Sequence, residues 1–174
     1  MEEIRQLCAT DAGMYGLWDL ESFQDVIDYD SWSRRLESAE SILKEIGQGT
    51  FVPINVGADG ASEILIRFDE HLTERETKYR LVGSQPYSLV SSGAFCVSGI
   101  EHVDATTAAE STSVGVVPLS AGKYDVTIHL IGWDEEPGMQ LESGGPAEGA
   151  LPDFIVTIVP SKTTAHRTKI MSFD

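Results

Sequence analysis

The residues that most often carry catalysis or bind metals are few and widely spaced in this chain. They are two cysteines and four histidines: Cys8, Cys96, His71, His102, His129 and His166. No histidine stands at zinc-ligand spacing from another histidine or from a cysteine. The HExxH, GxSxG and Walker motifs are also missing. We therefore predict no catalytic residue, no metal site and no cofactor, and we expect a protein that is not an enzyme.

Carboxylates, in contrast, are abundant and clustered. The 174-residue chain has a formal net charge of −16, and residues 101–160 hold ten Asp or Glu against one base, Lys123. A field of one sign attracts a partner of opposite charge. It argues against nucleic acid and anionic membranes, because binding phosphate requires Lys and Arg. A basic protein is the partner that this charge favours, and a solvated surface that keeps the protein in solution is the alternative.

The acidic runs do not follow a calcium-binding pattern. An EF-hand loop needs oxygen ligands at its first, third and fifth positions and glycine at the sixth. The run that begins at Asp28 has Trp32 in the fifth position, and Asp134, Glu135 and Glu136 are adjacent acids without that spacing. The charge pattern therefore gives no support for a metal ion.

Composition and local patterns indicate one globular domain over residues 1–160, followed by a loose tail over 161–174. Apolar residues make up 41% of the chain. The first residues have neither the basic nor the apolar part of a signal peptide, and no apolar run approaches the roughly 20 residues that span a bilayer. Both cysteines lie inside apolar runs, which is typical of buried thiols in a reducing compartment. We expect a cytoplasmic protein, and the sequence leaves the oligomeric state open.

One segment has the spacing of an amphipathic helix. Its apolar residues recur at intervals of 4, 3, 4 and 3 residues: Trp32, Leu36, Ala39, Leu43 and Ile46. This period places all five on one helical face. We predict one continuous helix over about residues 31–46.

The rest of the chain has the pattern of short strands separated by glycine-containing turns. Strands are predicted at 4–9, 14–18, 50–56, 62–68, 79–83, 86–91, 94–100, 114–119, 123–133 and 153–159. Two pairs look like hairpins, one around Asp59-Gly60 and one around Ser120-Ala121-Gly122. The predicted fold is mainly β, an antiparallel β-sandwich of about nine strands with the helix packed on it.

The second predicted hairpin would bring the acidic loops together in space. Antiparallel pairing of 114–119 with 123–133 would bring loops 101–113 and 134–152 to the same end of the sheet. These loops hold eight carboxylates and no Lys or Arg. We predict a partner-binding rim with an aromatic anchor, made of Trp133, Asp134, Glu135, Glu136, Glu101, Asp104, Glu110 and Glu142. A lid over the core is the alternative role for Trp133.

A different surface carries the second functional hypothesis. Asp125, Thr127 and His129 alternate with apolar residues along the strand 123–133, so they share its polar face. His129 is either an exposed surface residue or part of a ligand-facing sheet surface. The second hypothesis is a small-ligand or carbohydrate-binding β-sandwich module, and the third is a hydrolase of unrecognised type.

Four passages together resemble a known group of proteins. They are Ile46-Gly47-Gln48-Gly49 at the end of the helix, the Asp59-Gly60 turn, residues 86–93 and residues 117–126. The pattern resembles uncharacterised bacterial single-domain β-sandwich proteins and, more distantly, is similar to the competence-associated nuclease inhibitor family. The resemblance implies a bacterial cytoplasmic inhibitor or immunity factor for a basic partner such as a nuclease or toxin. It carries no catalytic residue to this chain.

Overall fold

The computed structural model describes residues 2–174, which form ten strands and three α-helices. The strands are β1 Glu3–Thr10, β2 Met14–Asp19, β3 Phe51–Asn55, β4 Gly60–Arg67, β5 Arg80–Gly83, β6 Tyr87–Ser91, β7 Ala94–Gly99, β8 Gly115–Pro118, β9 Gly122–Ile131 and β10 Phe154–Pro160. The helices are α1 Tyr29–Leu36, α2 Ala39–Gln48 and α3 Glu74–Tyr79. The mainly β class is confirmed. In the described part of the chain, no helix combines the length and the apolarity needed to cross a bilayer.

The strands form two sheets with a shared core between them. One sheet has the order β1-β4-β10-β9-β5, with β6 also paired to β9, and the other has the order β3-β2-β7-β8. Inward side chains of both sheets meet in one buried cluster, for example Ile66 and Ile128 with Leu17 and Val97. Cys8 and Cys96 are free thiols in this core, and burial raises the pKa of each to about 12.

The sequence pattern predicted purely antiparallel sheets, but one strand pair of the structure is parallel. β10 runs parallel to β4 while it pairs antiparallel with β9. The sequence separation explains this pairing. β10 reaches the edge of β4 from far along the chain, and no tight turn forces the two strands to run in opposite directions.

The single helix predicted over about 31–46 is wrong, because the chain forms two helices there. Ser38 interrupts the helix in an extended conformation, with φ −96° and ψ 152°. Its hydroxyl accepts a hydrogen bond from the Ser41 amide at 3.1 Å, so it caps α2. Ile42 is buried while Leu43 is exposed. Because of the break, α2 is rotated relative to the predicted single helix, and it buries Ile42 where that helix would have buried Leu43.

Both predicted hairpins are also wrong. β3 pairs with β2 in the four-stranded sheet, while β4 pairs with β1 in the six-stranded sheet. Likewise β8 pairs with β7, and β9 pairs with β5, β6 and β10. The short glycine turns therefore carry the chain from one sheet to the other. A turn sequence fixes a reversal of direction, but it does not fix which neighbour the second strand joins.

The last fourteen residues are packed on the sandwich, so the expectation of a loose tail is wrong in that respect. Phe173 is buried edge-on against Phe154, with ring centroids 5.6 Å apart. Its amide donates to the Asn55 carbonyl at 2.8 Å, and the Tyr87 hydroxyl donates to the Lys169 carbonyl at 2.7 Å. These contacts tie the segment to strands of both sheets.

Candidate functional site

The residues of the predicted acidic rim fall into separate groups in the structure. Glu101 and Asp104 line a cleft beside α1, whereas Trp133, Asp134 and Glu135 form one 3-10 turn after β9. Within residues 2–174, the side chains of the exposed Glu110 and Glu142 make no hydrogen bond or ion pair to another predicted rim residue. Because β8 does not pair with β9, no shared hairpin joins these groups.

The cleft beside α1, here called the Tyr29 cleft, combines aromatic and acidic side chains. It has a volume of about 410 Å³. Its lining residues are Val26, Asp28, Tyr29, Trp32, Glu101, Val103 and Asp104. Three of these seven are carboxylates and none is a Lys or Arg.

The two aromatic rings of the Tyr29 cleft are held in place by hydrogen bonds. They stack with centroids 6.0 Å apart and an interplanar angle of 26°. The Trp32 indole donates to the Ile100 carbonyl at 2.9 Å, and the Tyr29 hydroxyl donates to the Glu37 carboxylate at 2.7 Å. Tyr29 is nevertheless 65% exposed. Trp32 is half-buried beside it, so the Tyr29 ring is the part of the pair that is open to a partner.

The carboxylate of Glu101 is fixed by the end of β1. It accepts hydrogen bonds from the Thr10 hydroxyl at 2.8 Å and from the Asp11 amide at 2.7 Å. The His102 ring stands 3.7 Å from the same carboxylate without lining the cleft. These contacts hold the negative charge at one position.

The two aspartates of the Tyr29 cleft are stabilised in their ionised forms. Hydrogen bonds from the Ser31 hydroxyl and amide lower the pKa of Asp28. Burial opposes ionisation of Asp104, but hydrogen bonds from Thr106 and Thr107 outweigh it and lower the pKa of that carboxyl. Both groups therefore carry a charge at neutral pH.

This arrangement has the chemistry that binds a Lys or Arg side chain. A cation is attracted to the face of an aromatic ring, and carboxylates around it accept charge-assisted hydrogen bonds. The sequence pattern assigned Trp32 to the core face of a helix and gave Tyr29 no role. The signal that could have located both was an aromatic pair three residues apart, flanked by Asp28 and Asp30 at the start of a helix.

The Trp133 turn has a different character. Trp133 packs against a small second core cluster that includes Leu65 and Ile155, and its indole donates to the Asp153 carboxylate at 2.8 Å. Arg75 of α3 forms a two-pronged ion pair with Glu136, at 2.7 and 2.9 Å. The acid here is thus partly neutralised by a base 61 positions earlier in the chain. A binding role for this turn stays a prediction.

A second cleft lies on the outer face of the six-stranded sheet and is here called the His129 cleft. It has a volume of about 360 Å³. Its lining residues are Glu70, Pro86, Asp125, Thr127, His129, Thr157, Val159, Lys162 and Thr163. It therefore contains the three residues of the predicted ligand-facing strand surface, but His129 is buried, with 7% of its surface exposed.

Comparison with known proteins identifies similarity of fold. No protein-family model matches the chain, and no curated protein sequence matches it. The structure described as "Crocagin biosynthetic gene J" superposes with a TM-score of 0.58 and 15% identity, over 93% of this chain and 100% of that one. ComJ of Bacillus subtilis, an inhibitor of the DNA-degrading activity of NucA, gives a TM-score of 0.49 and 10% identity, over 92% and 96%. The distant similarity to competence nuclease inhibitors that the strand and turn motifs predicted is confirmed, and at this identity it is a similarity of fold.

Proposed function

We propose that this protein is a non-enzymatic binding protein that docks a basic protein partner in the Tyr29 cleft. The supporting observation is the composition of that cleft, in which the exposed Tyr29 ring, stacked on the half-buried Trp32, is bordered by three carboxylates and no Lys or Arg. A Lys or Arg of the partner inserts over the Tyr29 ring, and Glu101 and Asp104 accept its hydrogen bonds. Aromatic anchors of this kind dominate the binding energy of many protein interfaces.

The charge of the whole molecule supports the same proposal. A net charge of −16 steers a basic partner toward the surface and raises the association rate at low salt. The carboxylates of the exposed loops, including Glu110 and Glu142, contribute to this field without touching the partner. Their role in the proposal is to accelerate the encounter.

The partner class that we propose is a nuclease or another toxin with a basic active surface. An enzyme that binds nucleic acid must present Lys and Arg to phosphate groups. A protein that occupies those side chains would act as an inhibitor or immunity factor, because it competes with the substrate for them. We place this encounter in the cytoplasm, since both cysteines are free thiols.

Two variants of the Tyr29 cleft test the proposal against a panel of purified basic nucleases and toxins. Replacing Tyr29 with alanine removes the anchor and is expected to weaken binding by about 2 kcal/mol, or roughly 30-fold in Kd. The double variant Glu101→Gln with Asp104→Asn removes two negative charges from the cleft. It is expected to lower the association rate roughly tenfold at low salt. Surface plasmon resonance at two salt concentrations measures both effects.

A matched control makes the same change in charge elsewhere. Glu142 and Glu148 are exposed loop residues outside the Tyr29 cleft. Glu142→Gln with Glu148→Gln should slow association less than the cleft pair and leave the dissociation rate unchanged. If no basic protein of the panel binds, or if Tyr29→Ala binds as tightly as the unaltered protein, the proposal is wrong.

A further inference from the structure

The protein contains an internal example of the contact that the proposed function requires. The guanidinium of Arg35 lies over the ring of the buried Phe23, with its central carbon 4.4 Å from the ring centroid. Its nitrogens also donate to both carboxylate oxygens of Glu45 and, at 2.6 Å, to Asp25. This arginine therefore stacks on an aromatic ring and binds carboxylates at the same time.

A lysine of the same molecule makes the ring contact alone. The ammonium of Lys78 stands 5.2 Å from the centroid of the Tyr79 ring, and within residues 2–174 it donates no hydrogen bond to a carboxylate. The two cations differ in shape. A planar guanidinium stacks with its face and donates from its edge, whereas an ammonium is a compact and strongly hydrated charge.

The Tyr29 ring is held in an orientation that suits a flat group. Trp32 stacks on one side of it, and the hydroxyl at its far end donates to Glu37 at 2.7 Å. Glu37 also accepts a hydrogen bond from the Ser33 hydroxyl, so the acceptor is itself tied to α1. Because Tyr29 is 65% exposed, the side of the ring away from Trp32 is left for a partner.

The carboxylates that line the Tyr29 cleft keep free acceptor positions. An ionised carboxylate offers about four such positions. Glu101 uses one on each oxygen, for the Thr10 hydroxyl and the Asp11 amide. Asp28 accepts the amide and the hydroxyl of Ser31 on Oδ1 alone. Both carboxylates can therefore accept further hydrogen bonds from a guanidinium edge.

We infer that the Tyr29 cleft selects an arginine of its basic partner in preference to a lysine. The inference rests on the proposed function and names the chemical group that the cleft takes. The guanidinium stacks on the open side of Tyr29, as Arg35 does on Phe23, while its edge donates to Glu101 and Asp28. A lysine keeps the attraction of charge but loses the stacking and the parallel hydrogen bonds.

The test is an NMR titration of the full-length ¹⁵N-labelled protein, followed at the Trp32 indole signal. The probes are three capped pentapeptides of glycine whose central residue is arginine, lysine or citrulline. Citrulline keeps the planar end of arginine but carries no charge. We expect the arginine peptide to shift the Trp32 signal saturably, with a Kd at least about fivefold lower than that of the lysine peptide. The citrulline peptide should bind most weakly.

Two variants show whether the Tyr29 ring causes the preference. Tyr29→Leu keeps an apolar side chain but removes the aromatic face, so the ratio of the lysine Kd to the arginine Kd should fall toward one. Tyr29 is exposed, and the amide spectrum of this variant should remain that of the folded protein. Glu142→Gln with Glu148→Gln reduces the negative charge outside the cleft and should leave the ratio unchanged.

The outcomes separate this inference from the proposed function. Arginine selection is overturned if the lysine peptide binds as tightly as the arginine peptide, if Tyr29→Leu keeps the ratio, or if neither peptide shifts the Trp32 signal. The proposed function is judged by whether basic proteins bind in a manner that depends on Tyr29. Such binding without a preference between the peptides refutes arginine selection alone.

Discussion

Replacing Arg67 with alanine is expected to lower the free energy of unfolding by about 3–5 kcal/mol, the usual result of breaking one side of a buried ion pair. Arg67 lies on the outer face of β4 with only 2% of its surface exposed. Its guanidinium donates two hydrogen bonds to Glu76 of α3, both at 2.7 Å, and two to Glu3, at 2.6 and 2.8 Å. These bonds connect the six-stranded sheet to α3.

The size of the effect follows from what the variant would leave behind. Glu76 is 5% exposed, so its carboxylate would remain buried without the cation. Burial disfavours the charge of Glu76, and at present the hydrogen bonds from Arg67 and Thr73 outweigh burial and lower its pKa. Without Arg67, the chain must either bury an unpaired charge or take up a proton, and both weaken the folded state.

Urea unfolding at neutral pH measures this loss, and two further variants serve as controls. Arg5→Ala breaks the exposed pair with Glu63, at 3.2 Å, and should cost no more than about 1 kcal/mol. Arg67→Met combined with Glu76→Leu removes both charges and should recover most of the stability. An Arg67→Ala variant that loses no more than Arg5→Ala would show that the buried pair does not stabilise the fold.

The unaltered protein is also expected to lose stability between pH 6.5 and pH 4 through His129. The pKa of this ring is lowered from 6.5 to about 4 in the folded state, mainly by burial. In this interval the unfolded chain binds a proton that the folded chain does not, so the free energy of unfolding falls as the pH falls. At about 1.4 kcal/mol per unit of pH, the loss reaches about 2.5 kcal/mol near pH 4.5.

His129→Leu should remove this pH dependence and also the buried Nδ1 atom, which has no hydrogen-bond partner within residues 2–174. We expect the variant to be at least as stable as the unaltered protein at pH 7 and increasingly more stable as the pH falls. Thr127→Val is the matched control, because it alters the same cleft without removing a titrating group, and it should keep the original pH dependence. Equal acid sensitivity of His129→Leu and the unaltered protein in urea unfolding would show that His129 is not held neutral by the fold.

The strands were predictable because their signals are local. Alternation of apolar and polar residues along 123–133 and the apolar run 153–159 locate β9 and β10 to within two residues at each end. Their pairing with distant strands was not predictable in the same way. A glycine turn such as Ser120-Ala121-Gly122 ends a strand equally well in a hairpin and at a crossing between sheets, and only packing in the folded core decides between them.

In the region of the predicted helix, a local helix-capping signal outweighs the longer pattern of apolar spacing. The spacing of Trp32, Leu36 and Ile46 fits one continuous helix, yet Ser38 and Ser41 form a capping box that starts a second one. A serine competes with the helix for backbone hydrogen bonds, which is why such residues are favoured at helix ends. The apolar spacing alone could not show that the chain starts a second helix after Ser38.

The candidate sites depended still more on tertiary structure. Glu101 and Asp104 were predicted from the charge pattern to bind a partner. Tyr29 lines the same cleft only because the loop after β7 packs beside α1. His129 was assigned to a polar strand face, but it is buried in the structure, where β5, distant in sequence, pairs beside it at Gly83. Charge and period are properties of short segments, whereas a cleft is a property of segments brought together.

One measurement separates the two candidate docking surfaces, because each of the three tryptophans reports on a different place. Trp32 lies in the Tyr29 cleft, Trp133 lies on the turn that the sequence pattern favoured, and Trp18 is buried in the core, where its indole donates to Ser98 at 3.0 Å. Their indole ¹H–¹⁵N signals can be followed while a basic nuclease is added to the labelled protein. We expect the Trp32 signal to change saturably, with Trp18 constant and the change lost in Tyr29→Ala; a change at Trp133 with Trp32 constant would contradict docking in the Tyr29 cleft.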